Sequence, residues 1–240
     1  VTVSRGLGDV YKRQNKYSII ELSSFQLEKL NKSLLDLSVV TNISPDHLDF
    51  HGNFENYKKA KLKICNNRAK TFFANTNISL KDFAFEIASS LEKIDSNTSR
   101  PLNDLPHRLE EVIPGIINDS KSTNSASLLY AIKKLNFGGN LIICGDPRKE
   151  PKSYEVYGPQ QVYIFGMHRN ELMEKVNSRR SNIKTISNLD LVLQDIKKAD
   201  SKPNILFSPG NSSGKDFKNF EDRGNSVSYT HLTLPTNVQV

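Results

Sequence analysis

Residues 112–144, VIPGIINDSKSTNSASLLYAIKKLNFGGNLIIC, decide the fold class. An apolar run at Val112–Asn118 predicts a strand, the helical spacing of apolar residues over Asn124–Leu135 predicts a helix, and Leu141–Cys144 is a second apolar run. A helix between two short strands is typical of a βαβ unit, in which the two strands are parallel. We therefore expect an α/β protein with a mostly parallel sheet.

The same alternation continues on both sides of this unit. Upstream, the predicted strands are Tyr17–Leu22, Leu35–Ile43 and Thr71–Ala74, and the predicted helices are Ser24–Leu30, Phe54–Asn67 and Leu80–Lys93. Downstream, the strands are Val162–Phe165, Ile183–Ile186 and Ile205–Phe207, and the helices are Glu171–Val176, Leu189–Ala199 and a last helix from near Asp216. This pattern indicates two successive α/β domains.

Composition sets the broad class of the protein. The chain has 240 residues, a net charge of +7 and 37% hydrophobic residues, and no apolar run is long enough to span a membrane. Cys65 and Cys144 fit a reducing cytoplasm better than a disulfide framework. No arginine-rich stripe is visible, so we expect no nucleic-acid module.

Three segments stand apart from the alternating pattern. Residues 1–14 and 228–240 show no clear periodicity, and we expect both to be extraneous and disordered. The polar stretch 96–104 contains Pro101 and predicts a linker. These limits predict one domain at 15–103 and another at 104–227.

Polar residues follow the first predicted strands, where open parallel sheets bind ligands. Glu21 and Ser23 fit either a magnesium ligand beside a nucleotide or a helix cap with a solvated acid. His47 lies next to Asp46 in a loop, where such pairs are most often structural. Lys61, on the next predicted helix, belongs by itself to a solvated basic face.

A second polar group follows the strand that ends at Asn118. Asp119 could bind ribose hydroxyls and Lys121 a phosphate or a carboxylate, and Thr123 or Asn124 caps the next helix. A capped helix start with local charge neutralisation is the alternative interpretation.

The last strand leads into SPGNSSGKD at 208–216, which approaches the P-loop pattern without matching it. Only three residues separate Gly210 from Gly214, and Asp216 stands where a magnesium-binding hydroxyl is needed. We therefore reject a triphosphate cradle here, and no true P-loop occurs in the 240 residues. The turn at 212–214, before a helix start, suits a smaller anion such as a carboxylate.

Four segments, taken in order, resemble one family. They are ELSSFQLE at 21–28, NISPDHLDFHG at 42–52, PHRLE at 106–110 with NDSKSTN at 118–124, and SPGNSSGKDFKNFEDRG at 208–224. They are similar to the ATP-dependent Mur ligases, and in particular to the type that adds D-glutamate to UDP-N-acetylmuramoyl-L-alanine. The resemblance covers residues 15–227 except about 69–80. It implies part of the parallel-sheet central ATPase domain at 15–103 and most of a Rossmann-like C-terminal domain at 104–227.

The resemblance implies ATP and Mg²⁺ as cofactors, UDP-N-acetylmuramoyl-L-alanine and D-glutamate as substrates, and a cytoplasmic monomer in peptidoglycan biosynthesis. By motif position, Glu21 would bind the magnesium ion between the ATP phosphates. His47 and Lys61, the latter as a carbamate, would hold a second magnesium ion and act in catalysis. Arg108 and Asp119 would contact ATP.

The remaining positions of the motifs imply substrate contacts. Ser23 and Gln26 would line the site for the UDP-linked substrate. D-glutamate would bind to Lys121, Thr123, Ser213 and Phe220. Lys121 would also act in catalysis. Either Arg148 or Lys149 would reach the side chain of D-glutamate.

Parts of the family pattern are not found in this chain. The UDP-binding domain and the P-loop half of the central domain are missing, and so is a nucleotide-contacting segment expected after Asn75. We therefore expect a truncated, inactive fragment in which Lys61 is an ordinary ammonium. A non-catalytic ligand-binding remnant is one alternative, and another amide ligase such as a folylpolyglutamate synthase is the other. ELSSFQLE and FKNFEDRG argue against the latter.

We predict that the 240-residue chain alone shows no ligase turnover, because it carries no P-loop to hold the ATP phosphates. The measurement is phosphate release in the presence of ATP, Mg²⁺, UDP-N-acetylmuramoyl-L-alanine and D-glutamate. Turnover that disappears in the Lys121→Ala variant would contradict this prediction.

Overall fold

The computed structural model describes residues 2–4, 17–31, 35–65, 70–74, 78–92, 105–150, 153–178, 181–199 and 203–233. The chain divides into two compact units, Val1–Leu102 and Asn103–Val240. The linker predicted at 96–104 lies outside the described residues. The boundary between the two units falls within these positions. No helix in the described part of the chain has the length and apolar character needed to cross a bilayer.

The described residues of unit 1 form two small parallel sheets and four helices. Its strands are β1 Thr2–Ser4, β2 Ser18–Ile20, β3 Leu37–Val40 and β4 Lys70–Phe73, with β1 paired to β2 and β3 paired to β4. Its helices are α1 Ser24–Glu28, α2 Leu48–His51, α3 Phe54–Leu62 and α4 Leu80–Leu91. The predicted elements are present but mostly shorter. The short helix α2 and the strand β1 were not predicted.

Unit 2 is built on one six-stranded sheet. Its strands are β5 Glu110–Ile113, β6 Ile116–Asn118, β7 Asn140–Cys144, β8 Tyr154–Glu155, β9 Gln161–Phe165, β10 Val176–Asn177, β11 Asn182–Ile186 and β12 Ile205–Phe207. Its helices are α5 Ser125–Leu135, a 3-10 turn Pro147–Lys149, α6 Arg169–Lys175, α7 Leu189–Ala199 and α8 Phe220–Thr233. The sheet order is β11-β9-β7-β12-β6-β5, and only β5 runs antiparallel to its neighbour. The expected mostly parallel α/β fold is therefore confirmed.

Alternating side chains of the sheet feed two separate cores. Leu141 and Ile143 of β7 pack with α5 and α6, whereas Ile142 and Cys144 pack with α7 and α8. All four are essentially buried, as expected for a parallel strand covered on both faces. Unit 2 is therefore a three-layer sandwich with helices on both sides of the sheet.

Two predicted elements of unit 2 are wrong in detail. The single strand predicted at Val112–Asn118 is a hairpin of β5 and β6, because Pro114 and Gly115 form the turn between them. Gly115 has a φ of +84°, a conformation that glycine adopts without steric cost. The last helix begins at Phe220 rather than near Asp216.

Both ends set aside as extraneous contain regular structure. Strand β1 lies within residues 1–14, and helix α8 continues to Thr233, beyond the predicted limit at 227. The remaining residues of these ends, 5–14 and 234–240, lie outside the described part of the chain.

We predict that Leu172→Ala lowers the free energy of unfolding by about 2–5 kcal/mol, because the fully buried side chain in α6 leaves a cavity in the core. Leu191→Ala is the matched control on α7, where the leucine is 44% exposed, and should change stability by less than about 1 kcal/mol. Urea denaturation of both variants measures the difference. Equal losses would contradict the assigned core.

Candidate functional site

Lys121 and Phe220 meet at the carboxyl-end edge of the unit 2 sheet. The Lys121 Nζ lies 3.5 Å from the centre of the Phe220 ring, within cation–π distance. The backbone N–H of Lys121 donates to the carbonyl of His107 at 2.8 Å, which fixes the loop that carries the lysine. The structure therefore brings together two residues, 99 positions apart in the sequence, that were both predicted to bind D-glutamate.

Asp119, two residues before Lys121 on the same loop, is only 5% exposed. Its carboxylate accepts hydrogen bonds from the Ser208 hydroxyl at 2.8 Å and from the Leu109 N–H at 3.2 Å. Burial raises the pKa of Asp119 to about 6, although both hydrogen bonds act to lower it. In this arrangement the carboxyl group links three segments of the protein and faces the interior.

Arg108 sits on a strained turn next to Asp119. His107 and Leu109, on either side of it, have φ values of +60° and +49°, which are unusual for residues with a side chain. Asp119 bonds to Leu109, and the Asn118 amide lies 3.2 Å from the His107 ring nitrogen Nδ1. The turn leaves Arg108 exposed, as a contact with an external anion requires.

Thr123 and Ser213 lie on the two loops that border the Lys121–Phe220 pair. Thr123 is exposed, and Asn124, rather than Thr123, caps α5 by accepting the Ser127 N–H at 2.9 Å. Ser213 is half-buried and follows Ser212, which forms a bridge with Asp146. The prediction that the turn at 212–214 directly precedes a helix is wrong, because α8 begins at Phe220.

The structure distinguishes the environments of Arg148 and Lys149. The Arg148 guanidinium forms an ion pair with Asp146, and its Nε lies 2.9 Å from both carboxylate oxygens. The hydrogen bond from Arg148 lowers the pKa of Asp146 to about 2, against the opposing effect of burial. Arg148 therefore has a carboxylate partner within the protein, whereas Lys149 is exposed on the same turn.

A shallow hollow of about 480 Å³ lies further along the same edge, at the ends of β9 and β11. Its lining includes Ser187, Asn188, Asp190 and Asp216 but no lysine or arginine. Two aspartates would repel a dicarboxylate, so this hollow fits D-glutamate less well than the surface around Lys121.

In unit 1, Ser23 and Gln26 form a capping box at the start of α1. The Ser23 Oγ accepts the Gln26 N–H at 3.3 Å, and the Gln26 Oε1 accepts the Ser23 N–H at 2.9 Å. Both side chains thus satisfy the helix terminus. Glu21, just before the box, is exposed.

His47 lies among aromatic rings at the start of α2. It adopts a left-handed backbone conformation with a φ of +51°, and its ring packs edge-on to Phe25 at 4.8 Å between centroids. Its Nδ1 is buried, and no hydrogen-bond partner for it is found within the described part of the chain. An imidazole nitrogen without a hydrogen bond could accept one from a ligand or bind a metal ion.

Lys61 lies on α3 near the same group of residues. Its Nζ is 5.8 Å from the centre of the Tyr57 ring. Burial, and then the negative charge of Asp46, raise the pKa of Tyr57 to about 12. The Lys61 ammonium therefore lies at the outer limit of cation–π distance from a buried aromatic ring.

Two buried residues, one in each unit, were missed by sequence reasoning. His51 is 6% exposed, and its Nε2 lies 3.1 Å from the Ser24 hydroxyl, so it joins α1 to α2. Arg223 is fully buried in α8 behind the Lys121 loop. Both lie inside quoted motifs, but a buried arginine or histidine cannot be told from an exposed one by spacing alone.

The candidate metal ligands of unit 1 do not form a complete ligand set. Within the described ranges, no three residues of the His, Cys, Asp and Glu types come together in a way that could hold a metal ion. Mg²⁺ often needs only one or two protein ligands, with water and phosphate supplying the others. The Nδ1 of His47, which lies 3.9 Å from the Asp46 Oδ1, and the exposed carboxylate of Glu21 remain candidate ligands.

The chain matches known proteins over most of its length. Residues 1–98 match the Mur ligase middle domain. The UDP-N-acetylmuramoylalanine–D-glutamate ligase of Fervidobacterium nodosum is 27% identical over 261 residues, covering 89% of this chain and 62% of the relative. The ligase of the same name from Buchnera aphidicola is 29% identical over 276 residues, covering 86% and 62%.

The fold also has a solved counterpart. The structure of MurF ligase from Thermotoga maritima in complex with ADP aligns with a TM-score of 0.53 and 14% identity, covering 85% of this chain and 69% of that one. The match to the Mur ligase fold and the matches to D-glutamate ligases confirm the resemblance that the four motifs indicate.

The matched region is only part of the relatives. The chain spans about three fifths of the length of the relatives described above. An alignment of 261 residues exceeds the 240 residues of this chain, so the relative has internal residues that this chain lacks. The middle-domain match also includes residues 1–14, which the sequence analysis had set apart. The domain limits stay predictions.

We predict that Asp119 makes stability fall as the pH rises from about 4 to about 6. The carboxyl ionises near 3.8 when unfolded and near 6 when folded, so the unfolded state binds fewer protons between these values. A shift of this size corresponds to about 3 kcal/mol. Urea denaturation across this pH range measures it, with Asp119→Asn as the comparison.

In Asp119→Asn this contribution should vanish, because the amide does not titrate while its oxygen still accepts a hydrogen bond. An identical pH dependence in both proteins would show that Asp119 ionises normally in the folded state.

Proposed function

We propose that this Mur ligase homologue is part of an ATP-dependent ligase that adds D-glutamate to UDP-N-acetylmuramoyl-L-alanine during peptidoglycan biosynthesis. Two curated relatives carry the name of that activity. Unit 2 would bind the amino acid, and unit 1 would contribute to the nucleotide and metal site. We further propose that the protein acts in the cytoplasm as a monomer.

One observation carries the proposal. Lys121 lies over Phe220 at the edge of the sheet where parallel strands end, and the motif positions of both residues imply contact with D-glutamate. The ammonium lies over one face of the ring, and a lysine ammonium carries three N–H donors of the kind that bind a carboxylate. Thr123 and Ser213 on the bordering loops would donate hydroxyl hydrogen bonds to the same ligand.

The reaction would proceed in two steps. The terminal phosphoryl group of ATP would pass to the carboxylate of the UDP-linked substrate, leaving ADP and an acyl phosphate. The neutral D-glutamate amine would then attack the acyl carbon, lose a proton and displace inorganic phosphate to form the amide. Lys121 would orient D-glutamate through a carboxylate, so that its amine faces the reacting carbon. Arg108, exposed on its strained turn, would neutralise charge on the nucleotide.

Asp119 would act by holding this turn. Its two oxygens accept hydrogen bonds from Ser208 and Leu109, and its side chain is buried, so it would influence ATP binding through the position of Arg108. Of Arg148 and Lys149, we propose Lys149 as the contact with the D-glutamate side chain, because Arg148 forms an ion pair with Asp146.

The residues of unit 1 fit a magnesium site in part. Glu21 offers an exposed carboxylate, and His47 offers a buried Nδ1 that lies 3.9 Å from the Asp46 Oδ1 and forms no hydrogen bond within the described residues. Carbamylation of Lys61 would turn its ammonium into an oxygen ligand, in keeping with the preference of Mg²⁺ for oxygen. Magnesium would supply charge neutralisation for phosphoryl transfer. Ser23 and Gln26 would line the substrate site from the capping box.

We predict that the full 240-residue chain binds D-glutamate with a dissociation constant in the millimolar range, or about −4 kcal/mol. Affinity should be weak because two short loops and one lysine provide only part of an enclosed site. Titration with D-glutamate, followed by amide and side-chain NMR signals, should move the resonances of Lys121 and Ser213. Lys121→Ala should abolish these shifts.

L-glutamate is the control ligand, and Lys133→Ala, at an exposed lysine of α5 with no role in the proposed site, is the control for loss of one positive charge. A stereospecific site binds the D-enantiomer better, and Lys133→Ala should leave binding unchanged. Equal scattered shifts with both enantiomers would refute the proposed site.

A further inference from the structure

Arg223, on the first turn of α8, has a role that packing does not explain. Its side chain is 0% exposed, and burial lowers its pKa. Among the described residues its hydrogen bonds go to backbone and hydroxyl oxygens and to the Cys144 thiol, and no carboxylate forms an ion pair with it. Removing a cation from water without a counter-charge is costly, so an arginine at this place needs a reason beyond filling volume.

The guanidinium joins two loops that are far apart in the sequence. Its Nε donates to the Ser120 Oγ at 3.1 Å, and one Nη donates to the Ser120 carbonyl at 2.9 Å. The other Nη donates to the Asn211 carbonyl at 3.0 Å. Because the group is planar and rigid, these bonds fix the loop after β6 relative to the loop after β12.

The same bonds determine where Lys121 and Phe220 lie. Ser120 precedes Lys121, and its hydroxyl donates to the Phe220 carbonyl at 2.8 Å while it accepts from Arg223. A short chain of hydrogen bonds therefore runs from Arg223 through Ser120 to the backbone of Phe220. These hydrogen bonds hold Ser120, the residue before Lys121, and the backbone carbonyl of Phe220 itself.

The neighbouring backbone makes room for the arginine. A Cβ atom at Gly145 would lie 3.1 Å from an Nη of Arg223 and 2.2 Å from the Ser212 carbonyl oxygen. The absence of a side chain at Gly145 thus lets the guanidinium approach the end of β7. Gly224, the next residue of α8, packs equally closely against the His107 ring.

We propose that Arg223 is a positioning residue of the D-glutamate site. It locks the loop 119–123 against the loop 208–219 and so holds Lys121 over Phe220, without touching the ligand itself. The inference rests on the proposed function where it concerns D-glutamate affinity. The placement of Lys121 is a property of the ligand-free chain and can be measured separately.

The first test uses the NMR signals of Lys121 in the full chain without ligand. Protons next to the Nζ, which lies 3.5 Å above the Phe220 ring, are shifted upfield by the ring current. Phe220→Leu identifies this shift by removing it. In Arg223→Lys and Arg223→Gln the shift should move toward the Phe220→Leu value, because one donor group cannot span both loops.

Arg169→Gln is the matched control. Arg169 is also partly buried at the carboxyl-end edge and donates to a loop carbonyl, that of Gly166, at 3.3 Å, but it bonds to neither loop of the site. This variant should leave the Lys121 shift unchanged. A folded Arg223→Lys protein with the wild-type Lys121 shift would overturn the inference.

Ser120→Ala tests the same chain of bonds without removing the buried arginine. It deletes the hydroxyl between Arg223 and Phe220, so the Lys121 shift should again decrease. This variant keeps the inference testable if the Arg223 variants do not fold. A wild-type shift in Ser120→Ala would count against it just as directly.

The second test measures D-glutamate binding in a double-mutant cycle. Arg223→Lys should raise the dissociation constant about tenfold, since a misplaced group costs much of its interaction. In the Lys121→Ala background, Arg223→Lys should add almost nothing, because the arginine acts through the lysine. Additive losses would show a general structural role instead.

The two tests separate this inference from the proposed function. If the wild-type chain does not bind D-glutamate, the proposed site fails, while the Lys121 shift still decides whether Arg223 positions it. If D-glutamate binds but Arg223→Lys leaves both the shift and the affinity unchanged, the proposed site stands and the role of Arg223 is refuted.

Discussion

The insertion of β12 between β6 and β7 is the constraint on which the site depends. Phe207 of β12 pairs with Asn118 on one side and with Ile142 on the other, so three parallel strands end at the same edge. The Asp119 N–H then donates to the Phe207 carbonyl at 2.8 Å, which extends the pairing one step beyond β6. Asp119 and Ser208, 89 residues apart in the sequence, consequently meet at hydrogen-bond distance.

This edge is unusual because its interior is polar. Asn118, Ser120, Ser208 and Arg223 are all fully buried, beside the buried carboxyl of Asp119. In a low-dielectric interior such groups are costly unless each is satisfied, so the network permits few alternative arrangements of the loops. Burial raises the pKa of Asp119, and it also keeps water away from the hydrogen bonds of this carboxyl group, which therefore fix the positions of Ser208 and Leu109. Rigid loops are what a small, polar ligand requires of its binding site.

The sequence predicted the order of the elements better than their limits. Alternation of strands and helices is a local pattern, and it identified β7, β9 and α7 closely. The Pro114–Gly115 turn was overlooked because the apolar run continues on both sides of it. The four motifs located Lys121 and Phe220, but the bonds made by Arg223 and His51 depend on tertiary packing between distant segments. The position of β12 in the sheet is likewise a non-local property that no periodicity encodes.

Backbone strain in the described residues is concentrated beside the implied ligand contacts. Four residues other than glycine have a positive φ: His47, His107, Leu109 and Asn136. Asn136 ends α5 as an ordinary left-handed cap, a place where asparagine is favoured. The others are His47 itself and the two neighbours of Arg108, and each such conformation costs about 1–2 kcal/mol. These are the positions at which the family resemblance implies a metal ligand and a nucleotide contact, in keeping with the tendency of backbone strain to cluster at ligand-binding sites.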